Sequence, residues 1–211
     1  MITVYGDLAC PFASLALHGL RAARTRAARG DIALDIRPFP LELINERPHR
    51  RSTLEAEKGA LTAVEPALGW RAWPDGADSA WPVSTLLPLA AVVAANRPSA
   101  GGLAAGDALD AALRHAFYVE GRCITLLPVV LDAASGCPEV NADALAEELR
   151  GGVGIAEVVD GAGKDRVARG SPHVFAGGRD WLNPGVELDP QTHRVTRYDP
   201  AVYDEIVAAA A

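Results

Sequence analysis

The sequence predicts an α/β domain interrupted by a large all-helical insertion, and three observations carry that prediction. The chain begins as a short apolar strand, a tight turn, an amphipathic helix and a second strand. A long stretch of helical periodicity follows, and two short strands around a Gly-Gly turn lead into one last helix. At 211 residues there is room for one sizeable domain, or one domain carrying such an insertion.

Residues 2–6, ITVYG, read as a buried strand running into the turn DLACP. A helix is expected from Pro11, because Phe12, Ala16, Leu20, Ala23 and Ala27 recur every three or four residues. Proline suits that first turn, where a backbone N–H would find no partner. Gly30-Asp31 ends the helix, and IALDIRPF then alternates Ile32, Leu34 and Ile36 with Asp35 and Arg37 as a second strand. Residues 41–82 carry no clear period: LELINERPHRRS is polar, and WRAWPDGADSAWP is turn-rich with three tryptophans. From Val83 to about Arg150 the pattern is helical, with one face of Leu109, Leu113, Ala116 and Phe117 and another of Leu127, Val130, Leu131 and Ala134. Asp143, Leu145 and Leu149 mark a shorter helix, and a further one covers roughly 154–163. SPHVFAGG and RDWLNPG read as strands joined by Gly177-Gly178. VYDEIVAAAA closes the chain as a helix packing Val202, Ile206 and Val207.

Twenty basic and 27 acidic side chains give a net charge of −7, which argues against nucleic acid or an anionic membrane as partner. The opening MITVYGDLAC has no basic flank and no long apolar run, so no signal peptide is expected. The longest apolar stretch, roughly Leu86 to Ala95, is broken by Pro88 and too short to span a bilayer. A cytoplasmic location is the expectation. Cys10, Cys123 and Cys137 are too widely spaced for a disulfide framework or a zinc site, so free thiols and no metal are expected.

The chemistry concentrates at Cys10. A cysteine that opens a helix directly after a strand meets backbone N–H groups without partners. Those donors favour the thiolate, by about 0.3 to 2 kcal/mol for the helix terminus, and so predict a lowered thiol pKa and useful nucleophilicity.

Asp7-Leu8-Ala9-Cys10-Pro11-Phe12-Ala13 resembles the active-site turn of the DsbA-like branch of the thioredoxin superfamily. WPVSTLLPLAAVVAA, ALRHAFYVEGRCIT and GSPHVF fall in the order, and at about the distances, that this branch shows. The branch includes FrnE-like disulfide oxidoreductases, with 2-hydroxychromene-2-carboxylate isomerases and kappa-class glutathione transferases as relatives. The resemblance implies a thioredoxin-like fold, with residues 1–40 and 165–211 as the thioredoxin-like domain and 41–164 as the helical insertion domain. It makes Cys10 the catalytic residue in a turn built from Asp7, Pro11, Phe12 and Ala13. Gly170-Ser171-Pro172-His173 resembles the family's cis-proline loop, so Ser171, Pro172 and His173 are the expected substrate-binding residues and Pro172 the expected cis proline.

Ala13 is the departure, since two-cysteine members carry their second thiol there. The implied function is a thiol–disulfide oxidoreductase or isomerase working through Cys10 alone. A second thiol would clear its mixed disulfide, with a low-molecular-weight thiol as co-substrate and no tightly bound cofactor. The alternatives are a thiol-cofactor-dependent isomerase or transferase acting on an apolar electrophile, and a non-catalytic thioredoxin-like binding module. The relatives that use a thiol cofactor carry serine where this chain has Cys10, which favours redox chemistry.

Other residues divide between chemistry and packing. Cys123 is a candidate remote resolving thiol or a small buried hydrophobe. Cys137, before Pro138, reads as an exposed loop thiol, with burial as its alternative. His18 sits about 12 Å along the helix from Cys10, too far for direct proton exchange. His173 is a candidate for polarising a bound thiol, against packing or surface exposure. Trp70, Trp73 and Trp81 line an apolar pocket or anchor the insertion as core. Arg47, His49, Arg50 and Arg51 read as a solvated loop, with binding of the carboxylates of a peptide-like thiol as the functional alternative.

Overall fold

The computed structural model describes residues 1–74, 81–82, 84–189 and 194–210. In chain order the elements are β1 (Ile2–Gly6), α1 (Pro11–Arg26), β2 (Leu34–Pro38), α2 (Leu41–Ile44), α3 (Arg51–Val64) and a 3₁₀ turn (Pro66–Leu68). The helical block follows as α4 (Leu86–Ala95), α5 (Leu103–Tyr118), α6 (Leu127–Ser135), α7 (Ala142–Arg150) and α8 (Ile155–Gly161). Then come β3 (His173–Ala176), β4 (Arg179–Leu182), β5 (Val186–Leu188), β6 (Val195–Tyr198) and α9 (Ala201–Ala209). The chain is thus an α/β protein with the order of elements of the DsbA-like thioredoxin fold.

The main sheet has the order β2-β1-β3-β4. β1 and β2 are parallel, with Val4 opposite Ile36, and α1 makes the crossover between them. β1 and β3 are antiparallel with Tyr5 opposite His173, which places the end of β1 beside the start of β3. Gly177 and Gly178, at φ +54° and +76°, turn β3 into β4. That two-residue turn needs positive φ at both positions to match the strand twist.

Both faces of the sheet are covered. α4, α5 and α8 pack on β2, while α9 lies against α1 and β3. The strict alternation expected in β2 therefore fails at Asp35, which is buried and held by Arg37 Nε at 2.7 Å. The α1–α9 approach depends on Gly19, where a Cβ would come within 2.3 Å of the Tyr203 ring. Tyr203, with Ile206 and Val207, forms the buried face of α9, and Val202 sits at its edge.

The helical block begins at Leu86; Val83, where the pattern was expected to start, lies outside the described residues. Leu109, Leu113, Ala116 and Phe117 form the buried face of α5, as their spacing requires. A buried ion network ties α5 to α1. Arg21 reaches Asp107 at 2.8 Å and Asp110 at 2.7 Å, Arg24 reaches Asp107 at 2.7 Å, and Arg114 reaches Asp110 at 2.9 Å. Burial works to raise the Asp110 pKa, but the two guanidiniums of Arg114 and Arg21 hold it below the usual range.

Two regions were not assigned from sequence. α3 buries a stripe of only Leu54, Lys58 and Leu61, so its apolar signal is weak. The β5–β6 pair is three and four residues long, and 190–193 between them lie outside the described residues. It covers a small cluster of Leu15, Leu61 and Leu68 that also takes in Phe12. Residues 75–80, in the turn-rich tryptophan stretch, likewise lie outside the described residues. Among the described residues no helix is long and apolar enough to cross a membrane.

Candidate active site

β1 delivers its last residue, Gly6, to the floor of a turn that closes on Cys10. The Cys10 N–H donates to the Asp7 carbonyl at 3.2 Å, and the Asp7 Oδ1 accepts the Ala9 N–H at 2.9 Å. Such an aspartate turn lets the chain leave a strand and enter a helix within four residues. Cys10 is the N-cap of α1 and Pro11 its first helical residue. The Cys10 carbonyl takes the Ser14 N–H at 3.1 Å and the Ser14 hydroxyl at 3.2 Å. A Cβ at Gly6 would come 3.0 Å from that of Ala13, so the glycine lets the helix lie directly on the strand end.

Ser171 faces this turn from the start of β3. Its hydroxyl oxygen accepts the Asp7 N–H at 2.9 Å, and its carbonyl accepts the Cys10 S–H at 3.1 Å. The Ser171–Pro172 peptide bond is cis. His173 follows as a buried strand residue whose Nδ1 accepts the Arg169 N–H at 3.1 Å, with Nε2 2.8 Å from Asp180. Both ring nitrogens are committed to hydrogen bonds within the protein, which fits the packing reading of His173 and not the alternative of polarising a bound thiol.

Arg114 supports the turn from below. Its Nη1 donates to the Asp7 and Leu8 carbonyls, each at 3.2 Å, and to the Ser14 hydroxyl at 2.6 Å. Sequence reasoning missed it. The available signal was an Asp110–Arg114 pair, four residues apart, set inside an otherwise apolar helix face.

Cys10 opens onto a cleft of about 340 Å³. Cys10, Phe12 and Ser171 line it together with Arg47, His49 and Arg50, from the loop between α2 and α3, and with Thr53 and Glu57 of α3. Three of the four residues of the basic cluster thus line the cleft; Arg47 and Arg50 are also exposed, as a solvated loop requires, while His49 is half-buried. Arg51 turns away, its Nη2 donating to the Trp73 carbonyl at 3.3 Å.

The electrostatics overturn one expectation. Burial pushes the Cys10 thiol up to about 11. The Ser171 side chain and the Ala13 N–H pull it down, while the Asp7 and Glu57 charges push it further up. The helix-terminal donors are present as expected, but the thiol of a residue only 5% exposed loses more to desolvation than they return. The resting group is a protonated thiol.

The other cysteines lie elsewhere. Cys123 is half-buried and does not line this cleft. Cys137 is buried, with its sulfur 3.3 Å from the Ala133 carbonyl, which corrects the exposed-loop reading. None of the three tryptophans lines the Cys10 cleft; all three pack with the aromatic core, Trp70 and Trp81 at its edge. Trp73 and Trp81 pack edge to face at 5.0 Å and both meet Phe117, while Trp70 stacks on Tyr118 at 4.5 Å. Trp81 also reaches the cleft indirectly, its indole N–H donating to the His49 carbonyl at 3.4 Å.

No protein-family model and no curated protein sequence matches the chain. Solved structures do. The chain is similar to the cytosolic disulfide reductase DsbM from Pseudomonas aeruginosa, with a TM-score of 0.62 and 20% identity over 98% of this chain and 96% of that one. The same reductase with glutathione matches at a TM-score of 0.59, 20% identity and the same coverage. A 2-hydroxychromene-2-carboxylate isomerase matches at 0.53, with 15% identity over 86% of this chain and 87% of that one. These likenesses establish the fold shared by the DsbA-like branch and its isomerase relatives.

Proposed function

We propose that this protein is a thiol–disulfide oxidoreductase that works through Cys10 alone, in a reducing, cytoplasmic setting, with a low-molecular-weight thiol such as glutathione as co-substrate. The observation that carries this is Cys10, its sulfur 3.1 Å from the Ser171 carbonyl, lining one cleft with Arg47 and Arg50. Guanidiniums there suit the carboxylates of a peptide-like thiol. The three cysteines are free thiols, and the neighbour DsbM, described as cytosolic, was solved with glutathione.

The chemistry runs in two exchanges. The Cys10 thiolate attacks one sulfur of a disulfide, a new S–S bond forms, and the other half leaves as a thiolate. Ala13 offers no second sulfur, so an incoming thiolate must attack the mixed disulfide and regenerate Cys10. Asp7, Pro11, Phe12 and Ala13 shape the turn, and Ser171 and Pro172 present backbone to the bound partner. His173 serves the same loop by holding it in place through Asp180 and Arg169.

A second reading has its own support. A protonated thiol that donates a hydrogen bond is what a thiol-cofactor-dependent isomerase or transferase needs to hold a bound thiolate. Cys10→Ser separates the two readings, because serine keeps the donor and removes the exchangeable sulfur. The oxidoreductase reading expects the variant to lose all exchange with glutathione disulfide and all repair of scrambled disulfides. A serine variant that turns over a glutathione-dependent isomerisation of an apolar electrophile at near-parental rate would replace that reading with the second.

A further inference from the structure

Cys10 rests as a thiol, and its S–H points at a carbonyl that cannot take the proton. Attack at neutral pH is therefore fast only if a group in the cleft takes that proton. Asp7 is nearby, but it is fully enclosed and already occupied: it accepts the Ala9 N–H, the Leu41 N–H at 2.8 Å and the Thr85 hydroxyl at 3.2 Å. His49 differs. It lines the same cleft as Cys10, and its Nε2 is buried 3.4 Å from Asp7 Oδ2 without a hydrogen bond that satisfies it. The backbone of its loop is pinned by Trp81. A cysteine, a histidine lining the same cleft, and a buried carboxylate beside the histidine are the three kinds of group that a nucleophile, its base and an orienting partner require.

We infer that His49 carries the Cys10 proton, held in place by Asp7, an assignment that rests on the oxidoreductase reading above. The neutral imidazole, its Nε2–H set toward Asp7 Oδ2, accepts the S–H proton on Nδ1 as the sulfur attacks the disulfide. The S–S bond of the substrate breaks, the Cys10–S bond forms, and the imidazolium returns the same proton to the departing thiolate. No proton is gained or lost, and the disulfide substrate is the only oxidant.

The groups facing His49 support this role. Asp7 from the β1–α1 turn, Glu42 from α2 and Glu57 from α3 surround it with negative charge, while Arg47 and Arg50 flank it on its own loop. Burial works to lower the His49 pKa, but the Asp7 carboxylate, with Glu42 and Glu57 behind it, outweighs burial and raises it. Glu57 is the competing base in the cleft. A carboxylate has an ordinary pKa of about 4, much further than imidazole from a thiol raised to about 11, so it accepts this proton at greater cost.

The test follows mixed-disulfide formation on the full-length protein by intact mass from pH 5 to 9, with glutathione disulfide as the probe. Wild type is expected to lose rate as pH falls, because the imidazolium cannot accept a proton. The raised pKa sets that fall above the ordinary histidine range. His49→Gln is expected to react about 100-fold more slowly at pH 7, the usual reach of one general base. It shows no levelling-off above the imidazole range, and its rate instead rises with every pH unit towards about 11. Added imidazole should restore part of the rate to His49→Ala. In wild type, the His49 NMR titration should coincide with the kinetic acid limb, a check that needs no variant. A His49→Gln protein with the wild-type rate, or one merely slower with the wild-type levelling-off intact, overturns this assignment and leaves the oxidoreductase reading standing. A wild-type Cys10 that forms no mixed disulfide at any pH overturns both.

Discussion

Ala13→Cys is expected to turn a one-sulfur centre into a dithiol that closes on itself. Position 13 lies three residues after Cys10 in the first turn of α1, so the two side chains project onto neighbouring parts of one helix face. Ala13 is fully buried and packs on Gly6, so the one added sulfur must be fitted at some cost in packing. Overpacking of this kind costs about 1 kcal/mol at the lower end of its range. Under mild oxidant the variant should lose two hydrogens as Cys10 pairs with the introduced thiol, and glutathione should no longer accumulate on Cys10. Insulin reduction should rise about 10- to 100-fold, because a resolving thiol held in place has a high effective concentration. A folded variant whose two thiols stay unpaired would mean that this turn lacks the geometry of a redox turn.

Arg114→Met is expected to give the largest loss of stability. The wild-type guanidinium joins α5 to the turn before Cys10 through Asp7, Leu8 and Ser14, and it pairs with buried Asp110. Removing one partner from a buried ionic cluster costs about 3 to 5 kcal/mol. The lower end applies here, because Arg21 remains beside Asp110 and the Arg114 Nη2 has no partner to lose. For a chain of this size about 3 kcal/mol corresponds to a fall in melting temperature of about 6 to 12 °C. Arg114→Lys should recover little, since a single ammonium cannot span the contacts of a planar fork. A thermal melt within about 2 °C of wild type, less than 1 kcal/mol, would show that the turn is held by other means.

Much of the fold was legible because it is written in local patterns. The Pro11 helix start, the apolar face of α5 and the Gly177-Gly178 turn each depend on a few neighbouring residues, and each stands where its chemistry places it. The α3 helix was not legible, because its buried stripe contains Lys58, whose charge is answered by Glu55 and the Arg71 carbonyl. No local rule announces such a lysine. The same holds for the site. Cys10 stands out by its position, but the group most engaged with the turn beneath it is an arginine 104 residues away in sequence, on α5. His49 looked like part of a solvated loop because its carboxylate partner lies 42 residues earlier. The thiol pKa was misjudged for the opposite reason: helix-end donors are a local feature, whereas the burial that outweighs them is set by the whole fold.

The most direct test of exchange through Cys10 alone is to incubate the wild-type protein with glutathione disulfide at pH 7.5 and follow it by intact mass and peptide mapping. The account predicts one glutathionyl group per chain, on Cys10, released by added glutathione at a rate proportional to that thiol's concentration. An adduct on Cys123 or Cys137 instead, or a Cys10 adduct that clears with no external thiol, would contradict it.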